Sequence, residues 1–285
     1  MKQERTIRNR SGPLRNNLLF LLCLGLMLAS PAQAQLLSTA STGLSNTLPM
    51  RGPCDDPSTH VALKEALRLV CSREPIDTGE ISKTIVVGLL GGFVKHDDVR
   101  HPEVLFARYL RMQYGTAICV EVFENRQWKK AVDYIVEQLR VDNNAPDKQH
   151  AKIVLYGHSW GAAQIVVLAR ELQRQAIPVA LTIQIDSVKK LGQNDRTIPA
   201  NVGKAVNFYQ RRGLTPGQST IVAADSERTV ILGNFPMVYS AHQINCDNYR
   251  RLSRWLNKAH HQIENDPEVW DRIAFLIDSV ARSPR

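Results

Sequence analysis

Between residues 83 and 232 the apolar positions alternate between two spacings. Short, nearly unbroken apolar runs at 84–90 (TIVVGLL), 117–123 (AICVEVF), 153–156 and 179–185 (VALTIQI) have the length and β-branched content of buried strands. Residues 101–114, 126–139 and 162–173 instead read as helices. In 126–139 the apolar face is Trp128, Ala131, Val132, Tyr134, Ile135 and Leu139. Residues 205–209 and 229–232 read as two further strands. A closing helix is predicted over 266–280, opened by Asp266-Pro267 with proline at the first helical position. Strands this apolar, joined by helices, are covered on both faces. They predict a three-layer α/β fold with a mostly parallel central sheet flanked by helices.

The pattern upstream is different. Residues 1–17 carry Lys2, Arg5, Arg8, Arg10 and Arg15 against Glu4, residues 18–29 (LLFLLCLGLMLA) are apolar, and Ala32-Gln33-Ala34 follows. A basic region, an apolar region and a small-x-small site form a secretory signal, predicted to be cut after Ala34. The apolar stretch falls short of the roughly 20 residues that a spanning helix needs. A secreted or periplasmic location is expected. Residues 35–51 have no sustained period and read as a loose leader. Residues 53–71 read as a turn and a helix, with Val61, Leu63, Leu67 and Val70 apolar at roughly helical intervals. The expected organisation is a signal peptide (1–34), a leader and helix usable as a small lid (35–82), and one α/β domain (83–285). No internal repeat and no second domain of this kind is visible.

Charge changes this picture little. The whole chain carries 36 Lys+Arg and 27 Asp+Glu, a net charge of +9. Without residues 1–34 the balance is 31 to 26, a net +5. That mild excess suits an anionic surface, with transient contact to a membrane surface as one expectation. No basic stripe marks a nucleic-acid partner. Oligomeric state is left open. Cys54, Cys71, Cys119 and Cys246 lie beyond the signal, and an even number in an exported chain suggests disulfides. A Cys54–Cys71 bridge would pin the helix between them and leave Cys119 with Cys246, although spacing does not fix the connectivity.

The chemistry centres on Gly157-His158-Ser159-Trp160-Gly161. This G-x-S-x-G run falls between a predicted strand and a predicted helix, the context in which such a serine stands exposed on a sharp turn. Gly157 and Gly161 let strand and helix approach, and the helix dipole favours negative charge at the serine. A serine needs a base to act as a nucleophile. His242, in the turn-rich segment MVYSAHQINCDNY after the last strand, is the expected base. His260 and His261 lie in a polar stretch that reads as an exposed helix. Two acids could orient the base. Asp186 ends the strand 179–185 and is favoured, and Asp225 follows another short apolar run. An oxyanion needs two backbone N–H donors, expected from Trp160 and, after Gly91-Gly92, from Phe93. The adjoining His96, Asp97, Asp98, Arg100 and His101 match no metal-binding spacing, so neither metal nor cofactor is expected there. The loops 187–201 and 211–218 are candidates to rim a pocket.

With these residues in place the chain resembles the α/β-hydrolase superfamily, in its lipase, esterase and thioesterase branch, over about residues 83–280. The resemblance implies a three-layer α/β-hydrolase fold without a large cap domain. It also implies a Ser-His-Asp triad (Ser159, His242, Asp186) that cleaves a small-molecule or lipid carboxyl ester through an acyl-enzyme. Gly-Gly stands where many relatives have His-Gly in the oxyanion loop. Two other readings remain: a non-catalytic protein of this fold that binds a lipid or a partner, and a metal-dependent hydrolase built on His96 and Asp97-Asp98.

Overall fold

The computed structural model describes residues 81–143, 151–239 and 244–283. The proposed signal, leader, lid helix, Cys54, Cys71 and His242 lie outside them. The first strand, β1 (Thr84–Leu90), is buried at every position. It is followed by helix α1 (Pro102–Tyr114), strand β2 (Ile118–Glu124), helix α2 (Trp128–Asn143), strand β3 (Lys152–His158), helix α3 (Trp160–Arg174) and strand β4 (Val179–Ile185). The two-residue strand β5 (Thr197–Ile198) precedes β6 (Val202–Tyr209). The short β7 (Val222–Ala223) precedes β8 (Val230–Pro236). Helices α4 (Arg251–Leu256), α5 (Lys258–Glu264) and α6 (Pro267–Arg282) close the chain. Within the described residues the strand and helix assignments made from periodicity hold, with boundaries moved by at most four residues. The last two large strands are longer than their apolar runs because Gly203 and Lys204 interrupt the pattern in β6, and Gly233 and Asn234 in β8.

The main sheet runs β2-β1-β3-β4-β6-β8, and every neighbouring pair is parallel. The chain leaves β1 toward one side for β2 and returns to the other side for β3. This reversal opens a crevice beyond the carboxyl ends of β1 and β3, where ligands settle in open α/β sheets. Helices α1, α5 and α6 cover one face, with Leu105, Phe106, Ile263, Trp270 and Ile273 packed on Val86, Val154, Tyr156 and Ile183. Helices α2 and α3 cover the other, with Ile135, Ile165, Leu168 and Leu172 on Ile85, Val87, Leu155 and Ala205. Each fully buried aliphatic side chain contributes about 1.5–3 kcal/mol relative to exposure. The frame beneath the crevice is therefore held by many such terms from both faces.

Local signals explain the ends of the elements. Asp266 caps α6 by accepting from the Glu268 N–H at 2.9 Å, with Pro267 next, as the dipeptide predicts. Tyr156 is fully buried, and its hydroxyl donates to the Glu103 carbonyl at 3.0 Å. Among the described residues no helix is long and apolar enough to cross a membrane. Cys119 and Cys246 carry free thiols, so the alternative bridge between them is not formed. Cys119 packs on the α2–α3 side of the sheet, whereas Cys246 is buried in the loop before α4, against the Ile244 carbonyl.

Candidate active site

Ser159 follows β3 directly and stands at φ 55°, ψ −123°, a left-handed region that costs a non-glycine residue about 1–3 kcal/mol. The surroundings hold it there. Its N–H donates to the Ile185 carbonyl at 3.0 Å, and its carbonyl accepts from Val188 at 3.1 Å and Ala163 at 3.3 Å. The two flanking glycines are required by space. A Cβ on Gly157 would come within 2.7 Å of the Gly161 carbonyl carbon, and one on Gly161 within 1.8 Å of the Leu89 oxygen.

Asp186 ends β4 and is fully buried, also at a left-handed angle, φ 45°. Its Oδ1 accepts from the Gln210 N–H at 3.0 Å, and its Oδ2 accepts from Gln210 Nε2 at 2.7 Å. The loop 211–218 closes over this carboxylate so tightly that a Cβ on Gly217 would sit 2.0 Å from Oδ1. Asp225, the other acid, spends its carboxylate on its own turn and accepts from the Glu227 N–H.

The imidazole between serine and acid belongs to His260. Its Nε2 lies 2.9 Å from Ser159 Oγ and its Nδ1 2.6 Å from Asp186 Oδ2. The base position expected for His242 is therefore filled by a residue 18 positions later, carried on α5. His260 and His261 are 7% and 3% exposed, not the solvated pair that their polar neighbourhood suggests. Helix α5 is buried with three of its polar side chains, those of His260, His261 and Glu264, partnered inward. His261 Nε2 meets Ser253 Oγ at 2.9 Å, with its ring stacked on Tyr249, and Glu264 meets His101 at 2.7 Å. Burial, then the neighbouring His260, lowers the His261 pKa to about 3, so this second imidazole stays neutral.

The loop after β1 borders the serine. A Cβ on Gly91 would lie 3.2 Å from Ser159 Cβ, which brings the following backbone alongside the nucleophile. Gly92 takes φ 46°, a turn that glycine adopts without strain. Buried Asn125 fastens this loop, its Nδ2 donating to the Leu90 carbonyl at 3.1 Å and the Gly92 carbonyl at 2.5 Å. Lys190 Nζ in turn donates to Asn125 Oδ1 at 2.7 Å and lies 5.0 Å from the centre of the Trp160 ring. The Phe93 ring meets Trp160 edge-on at 5.5 Å and is half-exposed. Lys190 thus touches the Trp160 side of the site, and the loop 211–218 packs on the Asp186 carboxylate.

Asn125 and Gln210 are polar residues that the sequence reading missed. Each lies just past the end of a strand, which is the one signal that could have marked them. Asn125→Ala is expected to lower kcat about 10–100-fold with a much smaller change in KM, because the loop amides lose their fixed position. Steady-state kinetics on an ester chromophore measure this split.

The cluster of His96, Asp97, Asp98, Arg100 and His101 divides. His96 and Asp97 are exposed, and Asp98 pairs with Arg100, whose hydrogen bonds outweigh partial burial and hold the Asp98 carboxyl below the usual range. His101 turns inward to Glu264. His158 does point away from the serine's open side, into a pocket between Glu103 and Glu264, with its ring 4.6 Å from that of His260. Burial opposes charge on His158, but Glu264 and Glu103 outweigh it and raise the imidazole pKa to about 9.

No protein-family model matches the chain, and no curated protein matches it. Solved structures similar to it include a dienelactone hydrolase from Anabaena variabilis, at 12% identity and a TM-score of 0.38 over 70% of this chain and 85% of that one. Others are a cutinase-like protein from Cryptococcus sp. (13%, TM-score 0.37, 72% and 98%) and an acetyl xylan esterase (9%, TM-score 0.32, 70% and 99%). Its own strand order and the strained serine between β3 and α3 give this chain the three-layer α/β-hydrolase fold.

Proposed function

We propose that the protein is a serine hydrolase acting on carboxyl esters, with Ser159 as nucleophile, His260 as general base and Asp186 as the acid that orients it. The observation that carries this reading is the unbroken hydrogen-bond line from Ser159 Oγ through His260 to Asp186 Oδ2, at 2.9 and 2.6 Å. With the proton of the neutral imidazole on Nδ1, toward Asp186, Nε2 is free to accept the serine proton. Ser159 Oγ then attacks the ester carbonyl carbon, and the carbonyl π pair moves onto oxygen. We assign the amides of Phe93 and Trp160 as donors to that oxyanion. When the carbonyl re-forms, the C–O bond to the alcohol breaks and His260 gives its proton to the departing oxygen. Water, deprotonated by His260, repeats the sequence on the acyl-enzyme and releases the carboxylate. The half-exposed Phe93 and the Trp160 ring favour an ester with an apolar portion, a small-molecule or lipid ester. The basic–apolar–small leader supports export, and a periplasmic or secreted location belongs to the same proposal.

A fluorophosphonate probe tests the reading. The wild-type protein is expected to take one phosphonate on Ser159, mapped by peptide mass. Ser159→Ala and His260→Ala should take none in the same time. A folded wild-type protein left unlabelled would favour a binding protein of this fold.

A further inference from the structure

Beneath the serine turn lies a second constellation that the ester chemistry does not use. His101 and Glu103 stand at the start of α1, and Glu264 ends α5. One donor atom from each lies within 4.8 Å of the other two, and all three residues are buried. Both carboxylates are fully buried. Neither oxygen of Glu103 accepts a hydrogen bond, although the residue is 0% exposed. A buried carboxylate without donors is costly, and the single imidazolium charge of His158 is shared between two glutamates. His158 Nδ1 lies 3.6 Å from one oxygen of each glutamate, too far for hydrogen bonds.

We propose that His101, Glu103 and Glu264, with His158 beside them, form a binding site for one divalent metal ion, zinc by the chemistry of the donors. Two carboxylates neutralise the ion, and imidazole nitrogen selects zinc over calcium or magnesium. The donors would have to draw in from their present span, replacing the 2.7 Å contact between His101 Nδ1 and Glu264 Oε1. Tyr249 and Trp270 already hold Glu264 from the outside, through its Oε2 and its carbonyl. The ion would be structural. It would tie the start of α1 to α5, a helix of seven residues that is too short to be stable alone and that carries His260.

Metal content decides the matter. The wild-type protein, purified after growth with added zinc and passed over a desalting column, is expected to hold about one equivalent of zinc by plasma mass spectrometry. Glu103→Gln should hold at least about tenfold less, since the loss of one anionic ligand weakens a closed site strongly. A double variant of the exposed His96 and Asp97, both to Ala, should retain the wild-type amount. Chelator-treated wild type should regain its melting temperature on addition of one equivalent of zinc. Wild-type protein that is folded by circular dichroism but holds less than about a tenth of an equivalent of zinc, manganese or iron, with no thermal shift on zinc addition, would overturn the proposal, as the pocket would then be a proton-compensated ion cluster. Because the wild type alone gives this answer, a variant that fails to fold does not obscure it. Zinc retained by Glu103→Gln and lost by the His96/Asp97 variant would also overturn it.

Discussion

His260→Ala is expected to lower ester turnover by about 10⁴–10⁶-fold, whereas His242→Ala should remain within about threefold of the wild type. The first figure is the typical scale of losing the base of a serine-histidine pair, which leaves only oxyanion stabilisation and binding. The size of the difference rests on geometry. His260 touches both the nucleophile and the acid at hydrogen-bond distance, and Asp186 is further held by two donors from Gln210, so it stays in place when the imidazole is removed. The folded state should therefore survive His260→Ala, and far-ultraviolet circular dichroism with a thermal scan checks this. Added imidazole would be informative, because a small base entering the vacated space should restore part of the rate. Pre-steady-state kinetics should show the acylation burst abolished rather than deacylation alone slowed, since the same imidazole serves both steps. The opposite ranking of the two histidine variants would return the base role to His242 and make the Ser159–His260 contact incidental.

The two histidines show where a sequence is readable and where it is not. Ser159 and Asp186 were legible because each terminates an apolar run, and a run of that kind has few alternatives to a strand. The strand ends then fall at one edge of a parallel sheet by topology. His260 is not legible, because polar periodicity ordinarily means solvent. In α5 it does not, since Ala259 through Glu264 are all buried. The side chains of His260 and Glu264 are matched by residues more than a hundred positions away, Ser159 and His101, and that of His261 by the nearer Ser253. Such matching depends on which elements the fold brings together, and no window of sequence contains it. The same reason hid Asn125, whose partners are carbonyls of the β1 loop. The free thiols of Cys119 and Cys246 make a related point. An even count suggested pairing, but the sheet puts one on the α2–α3 side and the other in the loop before α4.

Gly161→Ala is expected to destabilise the protein by about 3 kcal/mol or more and to abolish phosphonate labelling of whatever folds. Gly192→Ala should cost only about 1 kcal/mol and leave labelling intact. The contrast separates two reasons for a glycine. Gly192 has φ 81° with nothing within 4 Å of an added Cβ, so alanine there meets only the left-handed backbone penalty. At Gly161 the backbone angle is not the difficulty. The added methyl would lie 1.8 Å from the Leu89 oxygen and 2.5 Å from the Leu89 carbonyl carbon, both main-chain atoms of a central strand. No rotamer change relieves that contact. Either α3 moves outward from β1, or β1 moves away from β2 and β3, which it joins through a continuous parallel ladder. Overpacking ordinarily costs 1–3 kcal/mol, and contact with immovable backbone belongs at or beyond the top of that range. An outward shift of α3 would carry Ser159 with it, pulling Oγ away from His260 Nε2. Labelling should thus fail even in molecules that remain folded. Urea midpoints at unchanged m-value give the stability difference, and peptide mapping of the probe adduct gives the chemical one. If Gly161→Ala kept the wild-type midpoint and labelled at the wild-type rate, the close strand–helix approach that sets this serine in place would be refuted.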